Sequence, residues 1–397
     1  MALNTKAISE HIRELIATPS VSSVTPAWDI PNIEVINKLA ERLEHAGWQV
    51  EIQDIPDKPG KQNLIATLGK DNCKDNGKDT GEGSGLVLAG HTDTVPCNPE
   101  LWSSDPFVVS ERDNRFYGLG TADMKSFLAL AMAACSDIDP KTLTAPVILL
   151  ATADEESSMS GARALVAAGH PRARYAVIGE PTGLKPIRSH KGIFMESIRV
   201  TGQSGHSSNP DLGRNALEGM HAVISELLKW RDELRTGPLD NTFDIPYSTL
   251  NLGHIHGGDN PNRICGETEL QIDLRFIPSL NRQELKSELH QRLSNSLQTQ
   301  HPDLAIGFKS LFEGTEGMAT AADSALIKAA EQLTGADSGS VSYATEAPFL
   351  GQMGMDVVVL GPGSIDQAHQ PDEYLPLDEI EPTVEIIRKL IKQFCAN

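Results

Sequence analysis

Three short, unbroken apolar runs, each ending in residues that can hold a cation or move a proton, constrain this chain most. Residues 86–89 lead to His91, residues 147–151 lead into Asp154, Glu155 and Glu156, and residues 176–178 lead to Glu180. Apolar runs of this length without alternation suit strands buried on both faces of an α/β sheet. Helical spacing lies between them, at 123–134 and 161–168. In open α/β sheets, sites form beyond the carboxyl ends of the strands. All three runs deliver their polar residues at that end.

The same reading extends along the chain. Helices are expected at 6–17 and 32–47, with Gly47 as a stop, and strands at 49–54 and 63–68. Residues 70–85 are rich in Lys, Asp, Asn and Gly and read as a surface hairpin or loop. Near His190 the pattern changes to strand 192–201, helix 215–235, strands 249–255 and 267–275, helix 282–295 and strand 305–310. That order resembles a ferredoxin-like α+β unit. It reads as an insertion, because α/β patterning resumes with a helix at 322–333, a strand at 357–360 and a closing helix at 377–394. The expected organisation is therefore one discontinuous α/β domain, 1–187 with 311–397, and an inserted domain at 188–310. A chain of 397 residues is long enough for two cores.

Composition excludes several classes. With 39% hydrophobic and 22% charged residues the chain reads as soluble and globular. A net charge of −20 repels nucleic acid and anionic lipid, so neither is expected as a partner. Five scattered cysteines form no CxxC pair, which argues against a zinc ribbon or a disulfide framework. The N-terminus reads as an amphipathic helix without the apolar centre of a signal peptide, and no apolar run is long enough to span a bilayer. The cytoplasm is the expected location.

Five residues stand out by type and placement: His91, Asp123, Glu156, Glu180 and His369. Two imidazoles and three carboxylates form a mixed N/O donor set that suits zinc, and also cobalt or manganese. The set is too large for one four-coordinate zinc with an open position. It fits two metal ions sharing one carboxylate. Glu155 precedes Glu156 directly, and neighbours in an extended or turn segment point different ways. One carboxylate can therefore hold metal while the other accepts a proton from water. Asp93 lies where it can take the other N–H of His91 and fix the ring.

The motifs GHTDTVP, GLGTADMK, ADEE, GEPT and AHQPDE stand in an order that resembles the acetylornithine deacetylase, succinyl-diaminopimelate desuccinylase and aminoacylase family of two-metal hydrolases. The resemblance covers essentially the whole chain and is nearest to the branch that deacetylates acetylornithine. It implies a zinc-exopeptidase-like catalytic domain, α/β with a mixed sheet between helices, and an inserted ferredoxin-like lid and dimerisation domain. By resemblance, His91 and Glu180 bind one metal ion, Glu156 and His369 the other, and Asp123 bridges them. Glu155 matches the general base and Asp93 the acid behind the ligands. Glu at 180 resembles the deacylase branch more than the aminopeptidase branch. GHSSNP places His206 where relatives send an imidazole into a partner subunit's active site to stabilise the oxyanion. Asn262 and Arg275 fall where relatives hold polar groups of the substrate, and Thr345, Glu346 and Gly363 fall in loops that contact it. The implied activity is removal of the acyl group from an N-acylated amino acid by a homodimer, with N2-acetyl-L-ornithine as the expected substrate.

Plainer readings compete. Asp123 can be an N-cap, a ligand or both. Glu155 and Glu156 can decorate a helix N-terminus, where carboxylates are favoured. His254 and His256 share a strand face, which can bind metal, but a structural or interface role fits better because carboxylate partners lie in the other domain. His11, His45, His221 and His290 read as surface or packing residues on helices. His206 can be a loop filler, Arg275 can pair with an acidic neighbour, and Cys97 reads as structural. Two other activities fit the same residues less well: a peptidase that removes one amino acid from a short peptide, and a binding protein that has lost catalysis.

Overall fold

The computed structural model describes residues 4–69 and 84–396. The loop expected at 70–85 lies, except for its last two residues, outside them. The chain divides into two compact units. One comprises 1–188, 320–339 and 345–397, and the other 189–319 and 340–344.

The first unit is built on a mixed sheet. In spatial order its strands are Gln49–Asp54, Gln62–Leu68, Val147–Thr152, Leu86–His91, Tyr175–Pro181 and Asp356–Gly361, followed by Ile187–His190. Leu86–His91 runs parallel to Val147–Thr152 and to Tyr175–Pro181, and Asp356–Gly361 runs parallel to Tyr175–Pro181. These four central strands are buried almost throughout, as their unbroken apolar character requires. Their carboxyl ends share one edge of the sheet. The first two strands complete the sheet antiparallel.

Helices pack on this sheet by sequence-encoded faces. Thr5–Ile16 is capped by Asn4, whose side chain accepts from the Ala7 N–H, and it buries Ile8, Ile12, Leu15 and Ile16. Lys125–Cys135 is buried on nearly every side, because Thr5–Ile16 and Ile380–Cys395 both pack against it. Its Phe127 lies flat against Gly179, where a Cβ would fall 1.9 Å from the ring. A three-stranded sheet of Ser110–Arg112, Arg115–Tyr117 and Tyr374–Pro376 was not expected. Its strands are too short to show a period, yet they pair Tyr117 with Tyr374 and tie the segment before Asp123 to the one after His369.

The second unit is ferredoxin-like. Its antiparallel sheet has the order Thr249–Gly257, Glu267–Phe276, Gly192–Thr201, Ala305–Thr315. Helices Ala216–Thr236 and Arg282–Gln300 are capped by Asn215 and Asn281. Thr268, Leu270, Ile272, Leu274 and Phe276 alternate inward along their strand, and Leu285, Leu289, Leu293 and Leu297 recur every four residues along the facing helix. The helix runs past the expected end at 295 because Leu297 continues its buried stripe. Likewise the last strand reaches Thr315, beyond 310. No described helix is long and apolar enough to cross a membrane.

Candidate active site

The carboxyl edge of the first unit's sheet gathers the chemistry-bearing residues. His91 ends its strand, opposite Thr152. Glu155 and Glu156 lie in the turn after that neighbouring strand, several residues before the helix Ser160–Ala168, so they do not decorate its N-terminus. Glu180 lies near the end of the next strand. Asp123 precedes the helix Lys125–Cys135 without capping it: Met124 holds the N-cap position and makes no side-chain cap bond. The Asp123 carboxylate instead points between two imidazoles, with Oδ1 3.1 Å from His91 Nε2 and Oδ2 3.5 Å from His369 Nε2. His369 Nε2 is also 3.0 Å from Glu156 Oε2, and His91 Nε2 is 3.8 Å from Glu180 Oε1. Donor atoms of His91, Glu155 and Glu180 lie within 4.8 Å of one another, as do those of His91, Asp123 and Glu156.

The ring of His91 is set by the backbone. Its Nδ1 lies 3.0 Å from the Asp93 carbonyl oxygen, which can only accept, so Nδ1 carries a proton and Nε2 is the ring nitrogen left to face a cation. The Asp93 carboxylate, expected in that role, is 3.8 Å away. Its Oδ2 accepts the Glu156 N–H at 3.0 Å, so Asp93 braces the Glu155–Glu156 turn as well as the His91 loop. His369 has φ +61, a left-handed conformation that costs a non-glycine residue on the order of 1 kcal/mol and clusters at functional sites.

Electrostatics tests whether metal ions fit. Burial, joined by mutual repulsion with Glu156, Glu346 and Asp123, pushes the Glu155 carboxyl well above its usual range. Burial and the Asp123 charge do the same to Glu180 and raise Glu156. Hydrogen bonds that His369 donates to Asp123 and Glu156 hold it up at about 10. Burial opposes charge on His91, but its bond to Asp123 and the nearby carboxylates keep it well above the ordinary imidazole value. With protein groups alone, the cluster must therefore share protons among closely spaced acids. The four carboxylates Asp123, Glu155, Glu156 and Glu180 carry the charge that two divalent cations neutralise, and the two Nε2 lone pairs supply nitrogen donors. The donor set fits a two-metal centre.

Several supporting residues carried no sequence signal. Buried Lys61 reaches Asp154 at 3.1 Å and Asp29 at 2.8 Å. Asp154 also accepts from Ser22 and Ser160, which pins the turn that presents Glu155 and Glu156. Lys125, fully buried and brought down to about 7 by that burial, donates to Thr18 O and Ser20 Oγ. Glu373 is buried beneath Asp123 and raised to about 8 by burial and the Asp123 charge. It is the last residue of the AHQPDE motif, but nothing in the motif shows that it binds backbone rather than metal.

The remaining candidates fall in both units. In the first, Thr345 is buried and its hydroxyl accepts the Ala347 N–H at 3.1 Å. Glu346 is buried, raised to about 7 by that burial, and close enough to His91 and Glu155 to interact with their charges. Gly363 has φ +84, a value that favours glycine, and donates to Glu379 at 2.7 Å. In the second unit, His206 is exposed and its Nδ1 accepts the Ser208 N–H, which leaves its proton on Nε2. Asn262 is exposed on a turn, and Arg275 pairs with Asp273 on its own strand at 3.0 Å. His254 and His256 are exposed on the strand Thr249–Gly257. His290 is bonded to the buried Glu196.

Comparison with known proteins follows the same lines. The description of peptidase family M20/M25/M40 matches residues 87–393. The chain is 47% identical to a protein named acetylornithine deacetylase from Proteus mirabilis, over 97% of this chain and 96% of that one. It is 46% identical to another of that name from Photorhabdus laumondii, over 98% and 97%. Among solved structures it is similar to a tripeptidase from Staphylococcus aureus, with a TM-score of 0.74 at 19% identity over 99% of both chains, a likeness of fold. The chain thus belongs to peptidase family M20/M25/M40 and is a metal-dependent hydrolase.

Proposed function

We propose that the chain hydrolyses the amide of N2-acetyl-L-ornithine to L-ornithine and acetate, a reaction of arginine biosynthesis in the cytoplasm. The observation that carries the hydrolytic chemistry is the Asp123 carboxylate held between two imidazoles with Glu155 alongside. The substrate rests on relatives at 46–47% identity over nearly their whole length that bear the name acetylornithine deacetylase.

In this reading His91 and Glu180 hold one divalent cation, Glu156 and His369 a second, and Asp123 both. Zinc suits the donors first, and cobalt or manganese also fit. When bound, the pair polarises the amide carbonyl and acidifies water. Glu155 takes a proton from water as its oxygen bonds to the carbonyl carbon. The Nε2–H of His206, supplied by the other subunit of a homodimer, donates to the carbonyl oxygen as negative charge develops there. When the C–N bond breaks, its electron pair stays on nitrogen and Glu155 returns the proton to that nitrogen. Asp93 acts by holding His91 and the Glu156 backbone. Arg275 and Asn262 take the substrate's carboxylate and polar groups, Glu346 favours its distal ammonium, and Thr345 and Gly363 shape the loops beside it. The exposed edge strand Thr249–Gly257, where Ile255 is 53% exposed, supports dimerisation through the second unit.

Initial rates on N-acetylornithine, N-acetylmethionine, N-succinyl-diaminopimelate and a simple dipeptide test the substrate. The acetylornithine rate is expected to exceed the others. Preference for the succinyl compound or the dipeptide overturns the assignment.

A further inference from the structure

The turn that carries Asp123 has an unusual foundation. Residues 118–123 make a tight reversal before the helix Lys125–Cys135, and several of their N–H groups point inward. One carboxylate collects three of them. Glu373 Oε1 accepts from Ala122 at 2.7 Å and from Asp123 at 3.0 Å, and Oε2 accepts from Gly120 at 3.1 Å. The Glu373 backbone carbonyl takes the Gly118 N–H at 3.0 Å, so main chain and side chain grip the same turn. Glu373 is 1% exposed, and its neighbours pair in register with Arg115–Tyr117. Successive N–H groups converging on one carboxyl group line a nest, and filling it removes freedom from every peptide involved.

The clamp joins two loops that the chemistry must keep in step. Glu373 lies four residues after His369, and the turn it grips carries Asp123. The adjacent Asp372 accepts from the Ser103 N–H at 2.9 Å, which holds a third loop to the same segment. Displacing the segment would move His369 and Asp123 relative to each other, and both face the same carboxylate cluster.

We propose that Glu373 is a positioning residue that fixes the bridging carboxylate Asp123 against His369, and so sets the affinity of the second metal position. Its side chain bonds to the main-chain N–H groups of residues 120, 122 and 123, so it acts on the Asp123 carboxylate through the backbone. The proposal rests on the two-metal reading above.

The test uses three variants and a direct measure of metal binding. Glu373→Gln keeps the shape but turns one oxygen into an N–H donor, which must face a backbone N–H on one side. Glu373→Leu removes both acceptor oxygens and with them all three bonds, and Glu373→Asp keeps the carboxyl one methylene short. Metal content per chain and chelator competition on the zinc-loaded protein are measured alongside kcat, KM and thermal unfolding. The expected result is two zinc ions per wild-type chain. Glu373→Gln should hold the more weakly bound ion about tenfold to a hundredfold less tightly, the usual effect of removing a residue that orients metal ligands. Its kcat should fall with KM nearly unchanged, and Glu373→Asp should recover part of the loss. If Glu373→Leu fails to fold, the Gln and Asp variants still decide. Variants that hold both ions as tightly as wild type, with only the unfolding temperature lowered, would reduce Glu373 to a packing residue and overturn the proposal. A wild-type chain that binds no zinc would instead overturn the two-metal reading itself.

Discussion

Glu155 and His369 make separable predictions. Glu155 accepts and returns a proton without holding a cation in the proposed reaction. Glu155→Gln should therefore keep both metal ions by elemental analysis while kcat falls on the order of 10²- to 10⁴-fold, the usual contribution of a general acid–base. Retained turnover would remove Glu155 from that role. His369→Ala removes a donor with two carboxylates in reach. Metal content should drop from two ions to one per chain, with activity lost. At this scale most of the centre was legible, because imidazoles and carboxylates at strand ends have few other uses in such number. Glu373 and Lys61 were not, because they bind backbone and buried carboxylate, partners that no local pattern names.

Strand ends and turns hold the centre only while their packing holds. Gly179 precedes Glu180, and a methyl there would fall 1.9 Å from the Phe127 ring, which is itself 1% exposed and cannot retreat. Gly179→Ala is expected to lower stability by about 1–3 kcal/mol through overpacking. It should also weaken metal retention by shifting Glu180, which urea denaturation and metal analysis would read separately. Lys61 and Asp154 are each 2% exposed and face each other across 3.1 Å. Lys61→Met strands the Asp154 charge in the interior and should cost about 3–5 kcal/mol. An unchanged denaturation midpoint would show that water or Lys58, 3.7 Å from Asp154, takes over.

For the whole molecule, acid should erode stability through His190. This imidazole is fully buried and held down at about 4, chiefly by burial. Between about pH 4 and its ordinary 6.5 it is neutral when folded and takes up a proton on unfolding. Its stabilising contribution is therefore complete above about pH 6.5 and lost as pH falls towards 4, by about 3 kcal/mol in all. His190→Gln should flatten that part of the stability curve, and identical slopes would refute the assignment. From residue patterns alone came the two-domain plan, the parallel strands and the imidazoles and carboxylates that the fold gathers. Buried strands need unbroken apolar runs, and metal ions need particular donor atoms, so both leave local marks. Which oxygen of Asp123 faces which imidazole, why the Asp93 carbonyl rather than its carboxylate accepts the His91 Nδ1–H, and what anchors the turn at 120–123 were decided only by the fold. Those answers depend on groups up to 253 residues apart meeting within hydrogen-bond reach, which no spacing along the chain encodes.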